Sequence, residues 1–299
     1  MKVLVVGGAG MIGGHAALHL RAKGYDVTIA GRNPAAAGTP LGELPFLRCD
    51  YQADQLPLAE LGRFDALVFA AGNDVRHIPA GTDADVHWQR ANIEAMPRFF
   101  RAARDAGVRH AINIGSFYPQ ARPDLVEHNA YIRSRKLSDE GLRALATPEF
   151  RVIGLNAPFV VGAVPGLTTM FKAYTDYALG KFAPMPEFAP PGGVNFISTD
   201  SISEAVEGAL ERGENGRAYL IGDENLSFQD YFGAFFRAAG RPVPPVRDEE
   251  HPLLPDAAIL FGRGNSLFYE PDAAETAQLG YRRGDINRTI ETIVAQYRD

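Results

Sequence analysis

The sequence has one cysteine, no long hydrophobic run and no excess of positive charge, and each absence excludes a class of protein. A single thiol, Cys49, cannot form an internal disulfide, which fits a reducing compartment. No apolar run approaches the ~18 residues that span a bilayer, and no signal-peptide pattern is present. A net charge of −6 offers no basic surface to nucleic acid. We therefore expect a cytoplasmic protein that binds neither membranes nor nucleic acid.

The sequence also lacks the usual signatures of hydrolases and metalloenzymes. No G-x-S-x-G motif is present, so nothing supports hydrolase chemistry. His15 and His19 have the i, i+4 spacing of a metal-binding pair, but no cysteine or evident third ligand accompanies them. We expect packing or surface histidines and no metal. His77, His87 and Trp88 fall in or near the loop after the fourth predicted strand and are kept only as candidates for the substrate site.

What the sequence does contain is a regular alternation of apolar runs and helical patterns. The run at 3–6 is β-branched and predicts a buried strand, and glycines and a helix follow it. Residues 91–106 have helical spacing that ends at Gly107. This alternation predicts an α/β fold of the Rossmann type, with a doubly wound parallel sheet and helices on both faces. The predicted strands are 3–6, 27–30, 46–47, 66–70, 111–114 and 152–155.

The regular alternation stops after Gly162. The following segment is rich in proline, glycine and aromatic residues, as in APMPEFAPPGG. The helices predicted beyond this point lie at 170–179, 201–211 and 287–297, and 243–275 is irregular. This organisation predicts a dinucleotide-binding domain of residues 1–162, to whose sheet 196–222 returns. A smaller substrate lobe is then built from 163–195 and 223–299.

Gly7, Gly10 and Gly13 form a G-x-x-G-x-x-G motif that overlaps a G-x-G-x-x-G motif. Glycines are needed here for a tight turn, for close approach of the backbone to a pyrophosphate and for helix–strand packing. The next helix starts at about Met11 and Ile12, and its free N–H groups face the phosphates. A purely structural turn is the alternative. The position between an N-terminal strand and a helix predicts a dinucleotide site.

The residues after the second predicted strand favour NADP(H) as the cofactor. NAD-binding folds usually place an acid at the end of this strand, where it binds the ribose 2′-hydroxyl. Here that position is Gly31, and Arg32 and Asn33 follow it. Loss of the carboxylate removes repulsion of a 2′-phosphate, and arginine can bind a phosphate bidentately. A solvated surface arginine is the alternative interpretation.

Several further segments, in their order and spacing, resemble the extended short-chain dehydrogenase/reductase superfamily, in its epimerase/dehydratase-like branch. They are FLRCDYQ, VFAAGN, RANIEAMPRFFRAARDAGVRHAINIGS, LNAPFVVG, FISTDSISEAVEGALE and LGYRRGDINRTIETIVAQYR, and they extend over nearly the whole chain. The resemblance implies that residues of the first four segments contact the cofactor. They are Asp50, Tyr51, Ala70, Ala71, Gly72, Asn92, Pro158, Phe159 and Val160.

The resemblance also implies a catalytic tyrosine, a lysine that lowers its pKa and a serine that steadies the reacting oxygen. Tyr131 and Ser116 match two of these roles, although an ordinary helical tyrosine and a strand-end serine are the alternatives. The family pattern Y-x-x-S-K reads Y-I-R-S-R-K here, so Arg135 or Lys136 takes the third role. On a regular helix Arg135 lies about 40° from Tyr131 and Lys136 about 140°. A π-bulge would instead favour Lys136; we expect the regular helix.

These observations predict an NADP-dependent oxidoreductase that reduces a carbonyl, or oxidises an alcohol, on a small apolar or aromatic substrate. Residues 163–200 support this prediction because Lys172 and Lys181 are their only basic residues, among many aromatic ones. Two alternatives remain open. A nucleotide-sugar epimerase or dehydratase shares the fold and cofactor, although its usual asparagine is replaced by Phe159 and a dehydratase acid by Phe117. A non-catalytic NADP-binding sensor is supported by the displaced lysine.

The resemblance leaves oligomeric state open. Relatives often dimerise through the two helices that here carry Asn92 and Tyr131, so a homodimer is compatible with the sequence. The identity of the substrate, the direction of the reaction and its stereochemistry do not follow from the residues.

Overall fold

The computed structural model describes residues 1–53, 56–72 and 78–298, and its central element is a parallel sheet of seven strands. In their order across the sheet these strands are Phe46–Arg48 (β3), Asp26–Gly31 (β2), Lys2–Val6 (β1), Ala66–Phe69 (β4), His110–Ser116 (β5), Arg151–Ala157 (β6) and Ala218–Leu220 (β9). The chain order reverses between β1 and β4, and this reversal opens a crevice at the carboxyl ends of the strands. The Rossmann fold predicted from the sequence is confirmed.

Helices cover both faces of the sheet because its central strands are apolar on both faces. They are Met11–Ala22 (α1), Leu58–Leu61 (α2), Ala84–Trp88 (α3), Met96–Asp105 (α4), Tyr118–Ala121 (α5), Ala130–Arg143 (α6) and Thr199–Arg212 (α8). On β1, Val3 and Val5 pack in the cluster that includes α1 and α8, whereas Leu4 and Val6 pack in the cluster that includes α4 and α6. Successive residues of a strand face opposite sides, so the sheet has two separate cores.

Helix α1 is tied to α8 by its two histidines. His15 Nδ1 lies 2.7 Å from Ser203 Oγ, and His19 Nε2 lies 2.6 Å from Glu207 Oε2. Burial lowers the pKa of His15 below its usual value. The two histidines, four residues apart, therefore join α1 to α8. Because α1 covers the main sheet, these contacts also hold α8 against that sheet.

The helix after β4 differs from the one predicted at 91–106. It begins at Ala84, where the Asp83 side chain accepts the Val86 N–H at 3.0 Å, and it includes a π-helical segment at Gln89–Ala95. Pro97 follows this segment in the first turn of α4 and has no N–H to donate. A π segment holds one more residue per turn, so it shifts the 3.6-residue pattern on which the prediction depended.

A second, smaller sheet lies beside the crevice. Its strands are Phe159–Val161 (β7), Gly193–Ser198 (β8), Glu224–Ser227 (β10) and Ser266–Leu267 (β11), and β8 pairs with the other three. The helices of this part are Phe171–Ala178 (α7), Phe228–Ala238 (α9) and Ile286–Tyr297 (α11), whereas Ala273–Leu279 (α10) packs on α8 of the main sheet through Leu279. Aromatic rings of α7 and α9 form its core. No helix within the described ranges is long and apolar enough to cross a membrane.

Candidate active site

The glycine turn after β1 is a place where three backbones meet without room for side chains. Gly7 has φ of +81°, and a Cβ on it would lie 2.8 Å from backbone atoms of Ala70 and Ala71. A Cβ on Gly13 would lie 2.8 Å from the carbonyl carbon of Gly7 and nearer still to its oxygen. Glycine at these positions therefore lets β1, the end of β4 and α1 approach each other closely.

The N-terminus of α1 opens onto this turn. Gly10 is the N-cap and supplies no side chain, and the helix begins at Met11 and Ile12, which are both half-buried. The first N–H groups of a helix lack helical acceptors and carry its positive partial charge. A Cβ on Gly10 would contact only the Gly7 oxygen, at 3.3 Å, so the backbone is open to a ligand. These residues fit the pyrophosphate of a dinucleotide.

The end of β2 presents arginines where NAD-binding folds present an acid. Gly31 is the last residue of the strand, and exposed Arg32 and Asn33 follow it. A Cβ on Gly31 would contact only the Asn33 carbonyl oxygen, at 3.9 Å, so the backbone leaves room for a side chain to start there. Exposed Arg48 of β3 lies in register with Gly31. The sequence did not identify Arg48, because only strand pairing brings it to this edge.

Two predicted cofactor residues after β3 differ in their exposure. Asp50 is exposed, and its Oδ1 accepts the Gln52 N–H at 3.0 Å. The Tyr51 ring is buried edge-on against Phe69, with ring centroids 5.0 Å apart. Asp50 therefore faces solvent beside the crevice, whereas the Tyr51 ring belongs to the core. His77, another candidate from the sequence, lies outside the described residues.

Ser116 and Tyr131 border the crevice from two adjacent elements. Ser116 is the last residue of β5, at the edge of the sheet where the glycine turn follows β1. Asn129 caps α6, which places Tyr131 in the first turn of that helix. The Tyr131 ring packs edge-on against Trp88 of α3, with centroids 5.1 Å apart. Trp88, which the sequence placed in or near the loop after the fourth strand, is the last residue of helix α3 and packs against the tyrosine.

Arg135 and Lys136 are the two candidates for the role of the family lysine. They lie in different environments because α6 is an uninterrupted α-helix. Arg135 is 7% exposed, and its Nη2 donates to the Ile114 carbonyl oxygen at 3.2 Å. Its Nη1 is close enough to Gly72 that a Cβ there would lie only 2.8 Å away. The Lys136 side chain is 42% exposed and forms an ion pair of 2.7 Å with Glu140. Arg135 is thus the cation that lies between the ends of β4 and β5.

Asn92 is joined to the first turn of α6 by two consecutive hydrogen bonds. It is fully buried in the π-helical segment, and its Nδ2 donates to Ser134 Oγ at 3.1 Å. Ser134 Oγ in turn donates to the Tyr131 carbonyl oxygen at 2.8 Å. The π segment is thereby joined to the first turn of α6. This contact explains why an irregular helical turn stands here, since π segments often occur where a side chain must be positioned.

Aromatic rings form the wall beside the end of β5. Pro158 is buried, and Phe159 and Val160 belong to β7 of the second sheet. The Phe117 ring lies 6.3 Å from that of Phe159 and is stacked at 6.1 Å on that of Tyr269. Tyr269 comes from the irregular region 243–275, where no sequence pattern marks it. Phe117 itself is buried in the core of the second sheet, and Phe159 and Tyr269 are half-buried against it.

Comparisons with known proteins agree with this architecture. A model of the NAD-dependent epimerase/dehydratase family matches residues 3–222. No curated protein sequence matches the chain. A UDP-glucose 4-epimerase from Bifidobacterium longum, solved with NAD+ and UDP, is 17% identical with a TM-score of 0.74, covering 100% of this chain and 98% of its own.

Two further solved structures are equally similar in fold. A UDP-N-acetylglucosamine 4-epimerase from Bacillus cereus is 13% identical with a TM-score of 0.74, covering 100% of both chains. MoeE5, solved with UDP-glucuronic acid and NAD, is 18% identical with a TM-score of 0.73, covering 100% of this chain and 99% of its own. At such identities the similarity establishes the fold alone.

Proposed function

Because the chain belongs to the NAD-dependent epimerase/dehydratase family and is therefore an NAD(P)-dependent enzyme, we propose that it transfers a hydride between a nicotinamide cofactor and the oxygen-bearing carbon of a small substrate. The observation that carries this proposal is the position of Ser116 and Arg135 at the ends of β4 and β5, with Tyr131 one turn before Arg135 on α6. Family membership favours an enzyme over the non-catalytic sensor.

Each residue of this group has a distinct task in the proposed reaction. The bound cofactor would supply or accept the hydride. Tyr131 holds the proton that moves to or from the substrate oxygen, and the Ser116 hydroxyl donates a hydrogen bond to the same oxygen. The charge of Arg135, one turn along α6, favours the phenolate form of Tyr131. Since a guanidinium does not release its proton, Arg135 acts through its charge alone.

We propose NADP(H) rather than NAD(H) as the cofactor. The support is the pair of exposed arginines at the end of β2, Arg32 and its neighbour Arg48, together with the missing acid at Gly31. Space does not force glycine at that position, since an added Cβ would meet only one atom at 3.9 Å. The absence of a carboxylate is therefore best explained by a ligand that a carboxylate would repel. A 2′-phosphate is such a ligand, and it is a group that arginines bind.

For the substrate we propose a small apolar or aromatic carbonyl compound or alcohol. The half-buried rings of Phe159 and Tyr269, which pack on Phe117 directly after β5, are aromatic and suit such a molecule. Lys172 and Lys181, the only basic residues of 163–200, both form ion pairs with Asp176. Both lysines are thus engaged with a carboxylate, which argues against a diphosphate bound through this segment.

A nucleotide-sugar epimerase or dehydratase is the second candidate, and the comparisons favour it. The solved structures similar to this chain include two epimerases that are named for UDP-sugars. Tyr131 has the same task in both candidates, because each begins with hydride and proton transfer at a carbon that bears oxygen. The oxidoreductase would release a product that is oxidised or reduced relative to its substrate, whereas the epimerase or dehydratase would return the hydride before its product leaves.

The test is a paired assay of turnover on both substrate classes. We expect NADPH-dependent reduction of aromatic or aliphatic ketones and aldehydes, measured by cofactor absorbance, and no interconversion of UDP-glucose or UDP-N-acetylglucosamine by chromatography. Tyr131→Phe should lower turnover roughly 10²–10⁴-fold while cofactor binding stays within about twofold. Tyr25→Phe is the matched control, because its hydroxyl contacts Glu211 far from the crevice.

Each outcome of this assay discriminates among the candidates. Interconversion of UDP-sugars without carbonyl reduction establishes the second candidate. A Tyr131→Phe protein with wild-type turnover shows that the proton comes from another group. Tight cofactor binding without turnover of either substrate class supports the sensor hypothesis.

A further inference from the structure

Tyr131 has to be accessible to a substrate and yet be held in one place. It is half-buried in the first turn of α6, and its ring packs in part against the aromatic core of the second sheet. A tyrosine side chain on a helix has more than one favourable χ1 rotamer, and a change of rotamer displaces the whole phenol ring. Because a half-buried ring is not enclosed on every side, a contact on its buried part must fix the rotamer.

Trp88, the only tryptophan of the chain, makes such a contact from α3. Its ring centroid lies 5.1 Å from that of Tyr131 with an angle of 62° between the planes, an edge-on arrangement that aromatic pairs prefer. Trp88 is 3% exposed, and the His87 ring packs edge-on against it at 4.9 Å. A change of rotamer at Tyr131 would break the contact with this buried ring.

The chain beyond Trp88 fixes it to α6. The π-helical segment Gln89–Ala95 continues directly from Trp88, and both α3 and this segment pack on α6. Asn92, about one turn beyond Trp88, is fully buried and donates to Ser134 Oγ, which donates to the Tyr131 carbonyl oxygen. One continuous helical segment therefore holds the tyrosine at two points, its ring through Trp88 and its backbone through Ser134.

We propose that Trp88 is a positioning residue for Tyr131, which it holds in a single rotamer at the crevice. The proposal rests on the proposed hydride-transfer function, in which Tyr131 moves the proton. Proton transfer requires the phenol oxygen within hydrogen-bond reach of the substrate oxygen, and a displacement of about 1 Å can cost roughly 10²-fold in rate. The rate therefore depends on the ring that supports Tyr131.

Trp88 acts through Tyr131 and not by binding the substrate. At 3% exposure its ring offers almost no surface to a bound molecule. Loss of this ring should therefore slow the proton-transfer step without changing substrate affinity. The same expectation holds for both candidate functions, because Tyr131 has the same task in each.

The first test needs no substrate. The tyrosines of the whole protein are labelled with meta-fluorotyrosine, and the fluorine NMR resonance of Tyr131 is identified as the one that Tyr131→Phe removes. Trp88→Leu should broaden or split this resonance, because the ring then exchanges between rotamers. Trp88→Phe keeps a ring that can pack edge-on and should leave the resonance close to its wild-type width.

The second test separates the chemical step from binding. With whichever substrate class the paired assay identifies, Trp88→Leu should lower kcat roughly 10–10²-fold, while KM and the cofactor Kd stay within about twofold. Trp88→Phe should recover most of the lost kcat. A merely structural role for Trp88 would produce neither the division between kcat and KM nor the recovery by phenylalanine.

Phe236→Leu is the matched control for the loss of a buried aromatic ring. Phe236 is 1% exposed and packs edge-on against Tyr177 at 5.6 Å, in the core of the second sheet. Its replacement should lower Tm but leave kcat and the fluorine resonance of Tyr131 unchanged.

A Tyr131 resonance that stays narrow in Trp88→Leu overturns the proposal, and so does wild-type kcat in that variant. Turnover of neither substrate class by the wild type would instead contradict the proposed function. The NMR comparison of Trp88→Leu with Trp88→Phe would still decide whether Trp88 holds the tyrosine ring, so the two failures are distinguishable.

Discussion

Replacing Gly13 with alanine should weaken the glycine turn before any cofactor binds. The added Cβ would lie 2.8 Å from the Gly7 carbonyl carbon and 3.1 Å from the Gly8 nitrogen, both backbone atoms. Comfortable carbon contacts are about 3.5–4.0 Å, so the overlap is about 0.7 Å. Overpacking of this kind costs up to about 3 kcal/mol, and the better helix propensity of alanine returns ~1 kcal/mol. The net loss is about 2 kcal/mol.

This loss can be measured without a substrate. For a chain of this length each kcal/mol corresponds to about 2 °C in Tm, so Gly13→Ala should lower Tm by about 4 °C. Gly10→Ala is the control, because its Cβ would contact only the Gly7 oxygen at 3.3 Å. Gly10→Ala should keep the wild-type Tm but lose the rise in Tm that NADPH produces, since its methyl group fills the approach to the backbone. An unchanged Tm for Gly13→Ala would refute this account of the turn.

Two further predictions concern the arginines of the site. Arg32→Ala should weaken NADP(H) binding by ~1.5–3 kcal/mol, about one to two decades in Kd, and Gly31→Asp should shift preference to NAD(H); equal wild-type affinities in titration would contradict the NADP assignment. Arg135→Ala should move the onset of alcohol oxidation, which needs the Tyr131 phenolate, to higher pH and weaken cofactor binding, whereas Lys136→Ala loses only the exposed ion pair with Glu140, at most about 1 kcal/mol. The reverse pattern in pH–rate profiles would assign the role to Lys136.

The first half of the fold could be predicted because its central strands are buried on both faces. Such strands appear as short, nearly continuous apolar runs, and the runs at 3–6, 27–30 and 66–70 lie in β1, β2 and, for all but its last residue, β4. The predicted start of the helix and the face that it buries were less reliable, because the π-helical segment at Gln89–Ala95 changes the residue spacing within that helix. Periodicity alone contains no information on that change.

The second sheet was not predicted because its strands depend on distant partners. β8 is buried throughout but includes Asn195, a residue that is uncommon in a core strand. Its amide is satisfied by Asn225 and by the Tyr269 carbonyl oxygen, which lie 30 and 74 residues further along the chain. α9 has Gly233 in its middle, which lowers helix propensity, and Val243 packs against that glycine.

The candidate site likewise contains residues that the sequence could predict and contacts that it could not. The glycine turn, Ser116 and Tyr131 could be named as candidates because motif and local spacing define them, and helical angles alone favoured the face on which Arg135 lies. The contacts of Asn92 with Ser134 and of Asn156 with Gln120 join residues that are 42 and 36 positions apart. Such arrangements depend on packing, which a single sequence does not reveal.

Arg135, at the position of the family lysine, bears on the choice between the proposed functions. An epimerase takes a proton from the substrate hydroxyl in its first half-reaction and returns it in the second, so it needs no exchange with solvent. A net reduction or oxidation moves one proton per turnover between the site and solvent. Because Arg135 cannot relay a proton, the proposed oxidoreductase needs a route between Tyr131 and solvent that an epimerase does not need. The paired assay on carbonyl compounds and UDP-sugars decides between the two proposals.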